Sequence, residues 1–176
     1  TKNLVNKLEG TNIKLADTRK TTPGLRIFEK YAFKCGGGVN HRMGLYDAAM
    51  IKENHIAWTD NLNNAVKKIR LNSPFTTHII IEAENIEQAK EAVLAGADSV
   101  LLDELSPEKI KKSVQELRDL SINSLKKEVN KNLIIEVSGI NPQEISKYLI
   151  KGIDLISTSS SITKSNWIDL SMRYIN

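Results

Sequence analysis

The sequence predicts one α/β domain built on a parallel sheet that falls short of a complete eight-stranded barrel. Three observations predict it. Short β-branched apolar runs alternate with stretches of 3.6-residue periodicity, the pattern of strands and helices taken in turn. A shift of 56 residues superimposes one strand–helix–strand unit on another. At roughly 30 residues per unit, a chain of 176 residues holds about six units, fewer than the eight in the roughly 250 residues of a full barrel. The sheet is therefore open, or the chain begins inside a larger protein.

Taken in chain order, the expected strands are Ile13-Lys14-Leu15-Ala16, Phe33-Lys34-Cys35, Ala48-Ala49-Met50-Ile51, His78 to Ile81, Ser99 to Leu102, Leu133 to Val137 and Leu155 to Ser157. Between them, Leu62/Ala65/Val66/Ile69 and Ile110/Val114/Leu117 each lay an apolar stripe along a helix. Ser106 before Pro107 and Asn141 before Pro142 read as helix caps, because proline at the first helical position gives up an N–H that has no partner there anyway. In the repeat, Ile79-Ile80-Ile81-Glu82 falls on Ile135-Glu136-Val137-Ser138, Asn85 on Asn141, Gly96 on Gly152, and Asp98 on Asp154. A glycine just past a helix end takes the left-handed conformation that closes it. The repeat also pairs Glu82 with Ser138 and Asp103 with Ser159, all four at or just beyond the C-terminal ends of strands. Ligands of parallel α/β folds bind at those ends. The repeat itself also fits the general likeness of βαβ units.

Composition narrows the function. Hydrophobic residues make up 40% and charged residues 26% of the chain, a globular balance. No apolar run approaches the ~18 residues of a membrane span, and the first residues carry no signal-peptide core. The lone Cys35 excludes an internal disulfide and a cysteine-based zinc site, which points to a reducing cytoplasm. The net charge of +4 comes from basic residues mixed among acidic ones, and aromatics are 5%. That favours small anions over nucleic acid, which would call for a basic stripe with stacking rings.

Three polar clusters follow expected strands. Asp17-Thr18-Arg19-Lys20-Thr21-Thr22-Pro23-Gly24-Leu25-Arg26 offers adjacent cations and hydroxyls where free backbone N–H groups favour anions; alone, it also fits a solvated basic loop. Gly36-Gly37-Gly38-Val39-Asn40-His41-Arg42 allows close backbone approach without forming a dinucleotide fingerprint. Ile51-Lys52-Glu53-Asn54-His55 is the third. Together they place Arg19, Lys20, His41, Arg42 and Lys52 on one face against Glu82 and Asp103. Such a cationic bowl suits a substrate bearing carboxylates and phosphates. The two carboxylates suit ribose hydroxyls or a hydrated Mg²⁺, or they pair with the cations. His41, His55 and His78 show no zinc-hydrolase spacing.

The segments 17–26, 36–42 and Ile51-Lys52-Glu53-Asn54-His55-Ile56, continuing through Leu101-Leu102-Asp103 to Asp169-Leu170-Ser171-Met172-Arg173, closely resemble the quinolinate phosphoribosyltransferases. The resemblance covers nearly the whole chain. It implies an open or incomplete parallel α/β barrel, TIM-like, of about six to seven strands, occupying residues 1–176, with the family's N-terminal domain absent from this chain. It implies a homodimer or higher homo-oligomer with shared active sites. The reaction implied joins quinolinate to phosphoribosyl pyrophosphate and releases pyrophosphate and CO₂, giving nicotinate mononucleotide for NAD synthesis. By motif, Arg19, His41, Arg42 and Lys52 would hold the quinolinate carboxylates. Lys20, Glu82 and Asp103 would be the catalytic set, Lys20 facing the pyrophosphate-bearing sugar, and Glu82 and Asp103 contacting ribose hydroxyls and Mg²⁺. Ser138, Gly139, Ser157 and Ser159 would hold the 5′-phosphate. Relatives commonly carry Ser-Gly-Gly where this chain has Ser138-Gly139-Ile140, and asparagine where it has Glu104. The alternatives are a truncated, inactive barrel that binds phosphate or dicarboxylate, and a transferase that uses nicotinate without decarboxylation.

Overall fold

The computed structural model describes residues 1–59, 61–124, 133–166 and 168–175. Its centre is a six-stranded sheet made of β1 (Lys14–Ala16), β2 (Ala48–Ile51), β3 (His78–Ala83), β4 (Ser99–Asp103), β5 (Ile134–Ser138) and β6 (Leu155–Ser157). The strand order is β1-β6-β5-β4-β3-β2 and every pairing is parallel. The edges, β1 and β2, are not paired with each other, so the barrel is open. Helices α1 (Lys2–Asn6), α2 (Arg26–Cys35), α3 (Glu53–Ala57), α4 (Leu62–Asn72), α5 (Ile86–Leu94), α6 (Pro107–Ser124) and α7 (Ser160–Thr163), with a 3₁₀ helix over Pro142–Tyr148, complete the described elements.

Alternation along the strands creates two apolar regions. Ile79, Ile81, Val100, Leu102, Ile135, Val137 and Ile156 join the main core with Val66, Ala89, Ile110, Val114 and Leu117 of the helices. The other face turns inward, where Ala48, Ile80 and Leu101 pack with Met50 as a small apolar layer. On the same inward face, Glu82, Asp103, Glu136, Ser138 and Ser157 line a cavity. Strand parity thus separates the core from the site.

The expected strand at Phe33-Lys34-Cys35 is instead the last turn of α2, so the glycine segment follows a helix. Three residues are too few to separate the two periodicities. The i, i+3 pair Lys30 and Phe33, both buried, marks the helical face. The strand's place beside β1 is taken by Val39 alone, through one parallel bridge to Ala16. Gly38 is required there, because a Cβ on it would overlap the Phe33 ring.

The repeat is present in three dimensions. Asn85 and Asn141 each cap a helix, accepting from the N–H of Gln88 and Gln143. Gly96 and Gly152 take φ of +89° and +103°. Asp98 and Asp154 each accept the backbone N–H of the paired strand, Ile79 and Ile135, at 2.7 Å. Arg70 and Arg118 bind equivalent acceptors in the two units: the carbonyls of Thr77 and Gly96 with the Asp98 carboxylate, and those of Leu133 and Gly152 with Asp154. The helices differ, the second being the 3₁₀ segment. No helix among the described residues is long and apolar enough to cross a membrane.

Candidate active site

The C-terminal ends of the strands open into a cavity of about 320 Å³. Arg19, Lys20, His41, Arg42, Lys52, Glu82, Asp103, Ser138 and Ser157 all line it. Gly139 and Ser159 line an adjoining cavity of about 190 Å³, which shares Lys20, Asp103, Ser138 and Ser157 with the first. Side chains from β2 to β6 and from the segments after β1 and α2 therefore converge, as a flat sheet could not arrange.

Two segments deliver the cations, and one buried ion pair joins them. Asp17 and Lys30, both fully buried, meet at 2.5 Å. Asp17 also accepts from the His41 backbone N–H at 2.8 Å and from Asn40 Nδ2 at 2.7 Å, and Lys30 donates to the His41 carbonyl. A carboxylate and an ammonium so enclosed are tolerable only with this set of partners. Arg19 and Lys20 on one side, and His41 and Arg42 on the other, thus leave a common anchor.

The Arg42 guanidinium donates to the Ala48 carbonyl at 3.1 Å. Burial and the positive charge of Arg19 hold its pKa below the ordinary arginine value, against the opposing pull of Asp47. Arg19 Nε is buried without a hydrogen-bond partner. Neither guanidinium is ion-paired among the described residues, so two like charges share one cavity.

Lys52 Nζ meets Glu82 Oε2 at 2.6 Å. Burial raises the Glu82 pKa, Lys52 opposes that rise, and the nearby charge of Asp103 adds to it. Asp103 Oδ1 accepts from the Ser138 hydroxyl. Gly139 adopts φ +70°, and a Cβ there would press on the backbone of Glu104 and on Asp103. Glu104 itself takes φ +53°, a region that asparagine enters more readily than glutamate. The glycine retained from the family pattern is thus the one the backbone requires.

Sequence reasoning passed over Glu136. It is 1% exposed, lines the cavity, and places Oε2 3.2 Å from His41 Nε2. Its inward parity on β5 was readable, but the 95-residue separation from His41 was not. Lys30 was missed because its stem lies on an amphipathic helix. Two histidines stand apart: His55 Nδ1 accepts the Lys52 N–H at the start of α3, and His78 meets Ser99 Oγ at the opposite end of the strands.

Against known proteins, residues 1–173 match the family described as "Quinolinate phosphoribosyl transferase, C-terminal domain". A probable nicotinate-nucleotide pyrophosphorylase [carboxylating] of Methanothermobacter thermautotrophicus is 40% identical over 175 residues, 98% of this chain and 60% of that protein. The Bacillus subtilis protein of the same name is 38% identical over 172 residues, 94% of this chain and 58% of its own length. The crystal structure of NadC from Streptococcus pyogenes superimposes with a TM-score of 0.84 at 37% identity, covering 98% of this chain and 57% of that one. The chain thus spans somewhat over half the length of these relatives. By the match over residues 1–173 and the identity to these relatives, the chain belongs to the quinolinate phosphoribosyl transferase family, in the part described as its C-terminal domain.

Proposed function

We propose that this chain is the catalytic barrel of an enzyme that transfers the phosphoribosyl group of phosphoribosyl pyrophosphate to quinolinate with decarboxylation, giving nicotinate mononucleotide, pyrophosphate and CO₂. The observation that carries this reading is that Arg19 and Arg42, two guanidinium groups with no carboxylate partner among the described residues, line one cavity with Glu82 and Asp103. Two guanidinium forks match the two carboxylates of quinolinate bidentately. Lys20, which lines both cavities, suits contact with the quinolinate and the pyrophosphate-bearing sugar as a point charge. Ser138, Gly139, Ser157 and Ser159 suit the 5′-phosphate through hydroxyls and turn amides.

Attack of the pyridine nitrogen on the ribose carbon builds positive charge at that carbon. Glu82 and Asp103 are the anionic groups held ready to stabilise it. Once alkylated, the cationic ring stabilises the electron pair left on its carbon when the neighbouring carboxylate departs as CO₂, and a proton from water then takes that pair, so the enzyme needs mainly to orient that carboxylate. The half-buried Arg19 and Arg42 would orient it.

Glu82 and Asp103 fit Mg²⁺ as hard oxygen donors, and burial, with a smaller addition from the charge of Asp103, raises the Glu82 pKa. Mg²⁺ keeps much of its water and substrate oxygens and takes few protein carboxylates. When bound, it would supply charge neutralisation to the leaving pyrophosphate. A cytoplasmic homodimer or larger homo-oligomer with shared sites completes the reading.

The test is to incubate the protein with quinolinate, phosphoribosyl pyrophosphate and Mg²⁺ and measure nicotinate mononucleotide and CO₂. Arg42→Ala and Asp103→Ala should each lower kcat/KM about hundredfold or more, as losing a charge-assisted contact to a developing charge does. Undiminished turnover in both variants, or turnover of nicotinate without CO₂, would refute the assignment. Because the chain covers 60% of its Methanothermobacter relative, a binding barrel is the second reading. Quinolinate binding by calorimetry without turnover would select it.

A further inference from the structure

Glu136 has a partner arrangement that packing alone does not explain. Its carboxylate lies inside the barrel beside the apolar layer of Ala48, Ile80 and Leu101. Oε2 faces His41 Nε2, and Oε1 is buried with no hydrogen-bond partner. A leucine would fill this place without an orphaned acceptor, so the carboxylate is held at a cost to stability.

His41 shows what the carboxylate does. Its Nδ1 accepts the backbone N–H of Arg42 at 2.8 Å. A backbone amide only donates, so Nδ1 carries the lone pair and the ring proton sits on Nε2. That N–H donates to Glu136 Oε2 at 3.2 Å. Both ring nitrogens are thus engaged by the protein, and a chain runs from the Glu136 carboxylate through the imidazole to the backbone of Arg42. Residues 40–47 span the opening between Val39, bridged to the β1 edge, and Ala48, which starts the β2 edge. Glu136 reaches that segment from β5, in the middle of the sheet.

We infer that Glu136 is a positioning residue. It holds His41 in the Nε2-protonated tautomer and, through it, pins the segment that presents Arg42, leaving the guanidinium groups of Arg19 and Arg42 as the donors to a dicarboxylate. This revises the role expected for His41, from direct ligand to strut. The inference about quinolinate rests on the function proposed above; the inference about the tautomer does not.

Two variants test it. Glu136→Gln keeps a carbonyl that can accept from Nε2–H, whereas Glu136→Leu removes the acceptor. With ¹⁵N-labelled histidine and His41→Asn to assign the resonance, wild type and Glu136→Gln should show His41 protonated at Nε2, and Glu136→Leu a mixture of tautomers. By calorimetry, quinolinate affinity should fall about tenfold or more in Glu136→Leu, as loss of one hydrogen bond predicts, and clearly less in Glu136→Gln. Glu136→Leu should melt no lower than wild type.

An unchanged His41 tautomer in Glu136→Leu overturns the inference. So does unchanged quinolinate affinity where the tautomer has shifted, or a melting temperature that falls in step with the lost affinity. A tautomer shift in a protein whose wild type binds no quinolinate would leave the strut standing and refute the substrate instead.

Discussion

Glu82 binds its proton more tightly than an ordinary glutamate, because burial and the charge of Asp103 outweigh the help of Lys52. The unfolded chain releases that proton near the ordinary value of 4.5, and the folded protein releases it only at higher pH. Its contribution to stability is therefore fully present below the unfolded value and is lost as pH rises through the folded one. Glu82→Gln should gain stability relative to wild type between acid and neutral pH while losing turnover; parallel urea-denaturation profiles at the two pH values would contradict this. At this scale the sequence was most informative about charges clustered after strands. Arg19, Lys20, Arg42 and Lys52 stand in short polar runs at strand or helix ends, which bring their side chains to the cavity rim or wall. Glu136 and Lys30 escaped because each sits alone in an otherwise apolar or amphipathic element, and its meaning lies in a partner remote in sequence. His41 was recognised as part of the site, but its hydrogen bonds, which decide its role, depend on orientation that no motif records.

Among the elements, α2 does more than cover the sheet. Its Lys30 joins Asp17 after β1 to His41 after the glycine segment, so one helix sets the distance between the two cation-bearing segments. Lys30→Met would strand the fully buried Asp17 carboxylate and should cost about 3–5 kcal/mol in urea denaturation. Quinolinate affinity should fall in the protein that remains folded. A loss below about 1 kcal/mol, the scale of an exposed pair, would show that water reaches Asp17. Elements with a strong period were legible: the stripe Leu62/Ala65/Val66/Ile69 became α4, and the repeat foretold both asparagine caps, both closing glycines and both aspartates. What the repeat could not show is that Asp98 and Asp154 each bind the neighbouring strand's N–H and an arginine, since Arg70 and Arg118 are not related by the same shift. The run Phe33-Lys34-Cys35 failed for the opposite reason. Its three residues carry no period of their own, and only the Lys30–Phe33 spacing places them on a helix.

For the whole molecule, an open sheet gives the cavity walls on nearly every side and leaves the outer surface to explain. The face of α2 turned away from Lys30 and Phe33 carries Ile27, Phe28 and Tyr31, which are 74%, 70% and 69% exposed, beside Leu25. Tyr31 lies four residues after Ile27 and three after Phe28, so the three form a stripe, and a contiguous apolar stripe of large side chains marks an association surface. The same helix is tied to the site: the Thr22 N–H donates to Glu29, and Arg26 donates to Thr21 and to the Arg19 carbonyl. A partner seated on α2 would therefore steady the segment that presents Arg19. We expect the chain to self-associate in sedimentation velocity and the double variant Ile27→Glu/Phe28→Glu to sediment as a monomer with unchanged far-ultraviolet circular dichroism. Quinolinate affinity should fall with dissociation, because Arg19 then loses the support of a fixed α2. Two outcomes would sink the idea: identical sedimentation of wild type and variant, or a monomeric variant that binds quinolinate as wild type does. The second would show that the Asp17–Lys30 pair alone is enough to hold the cationic wall in place.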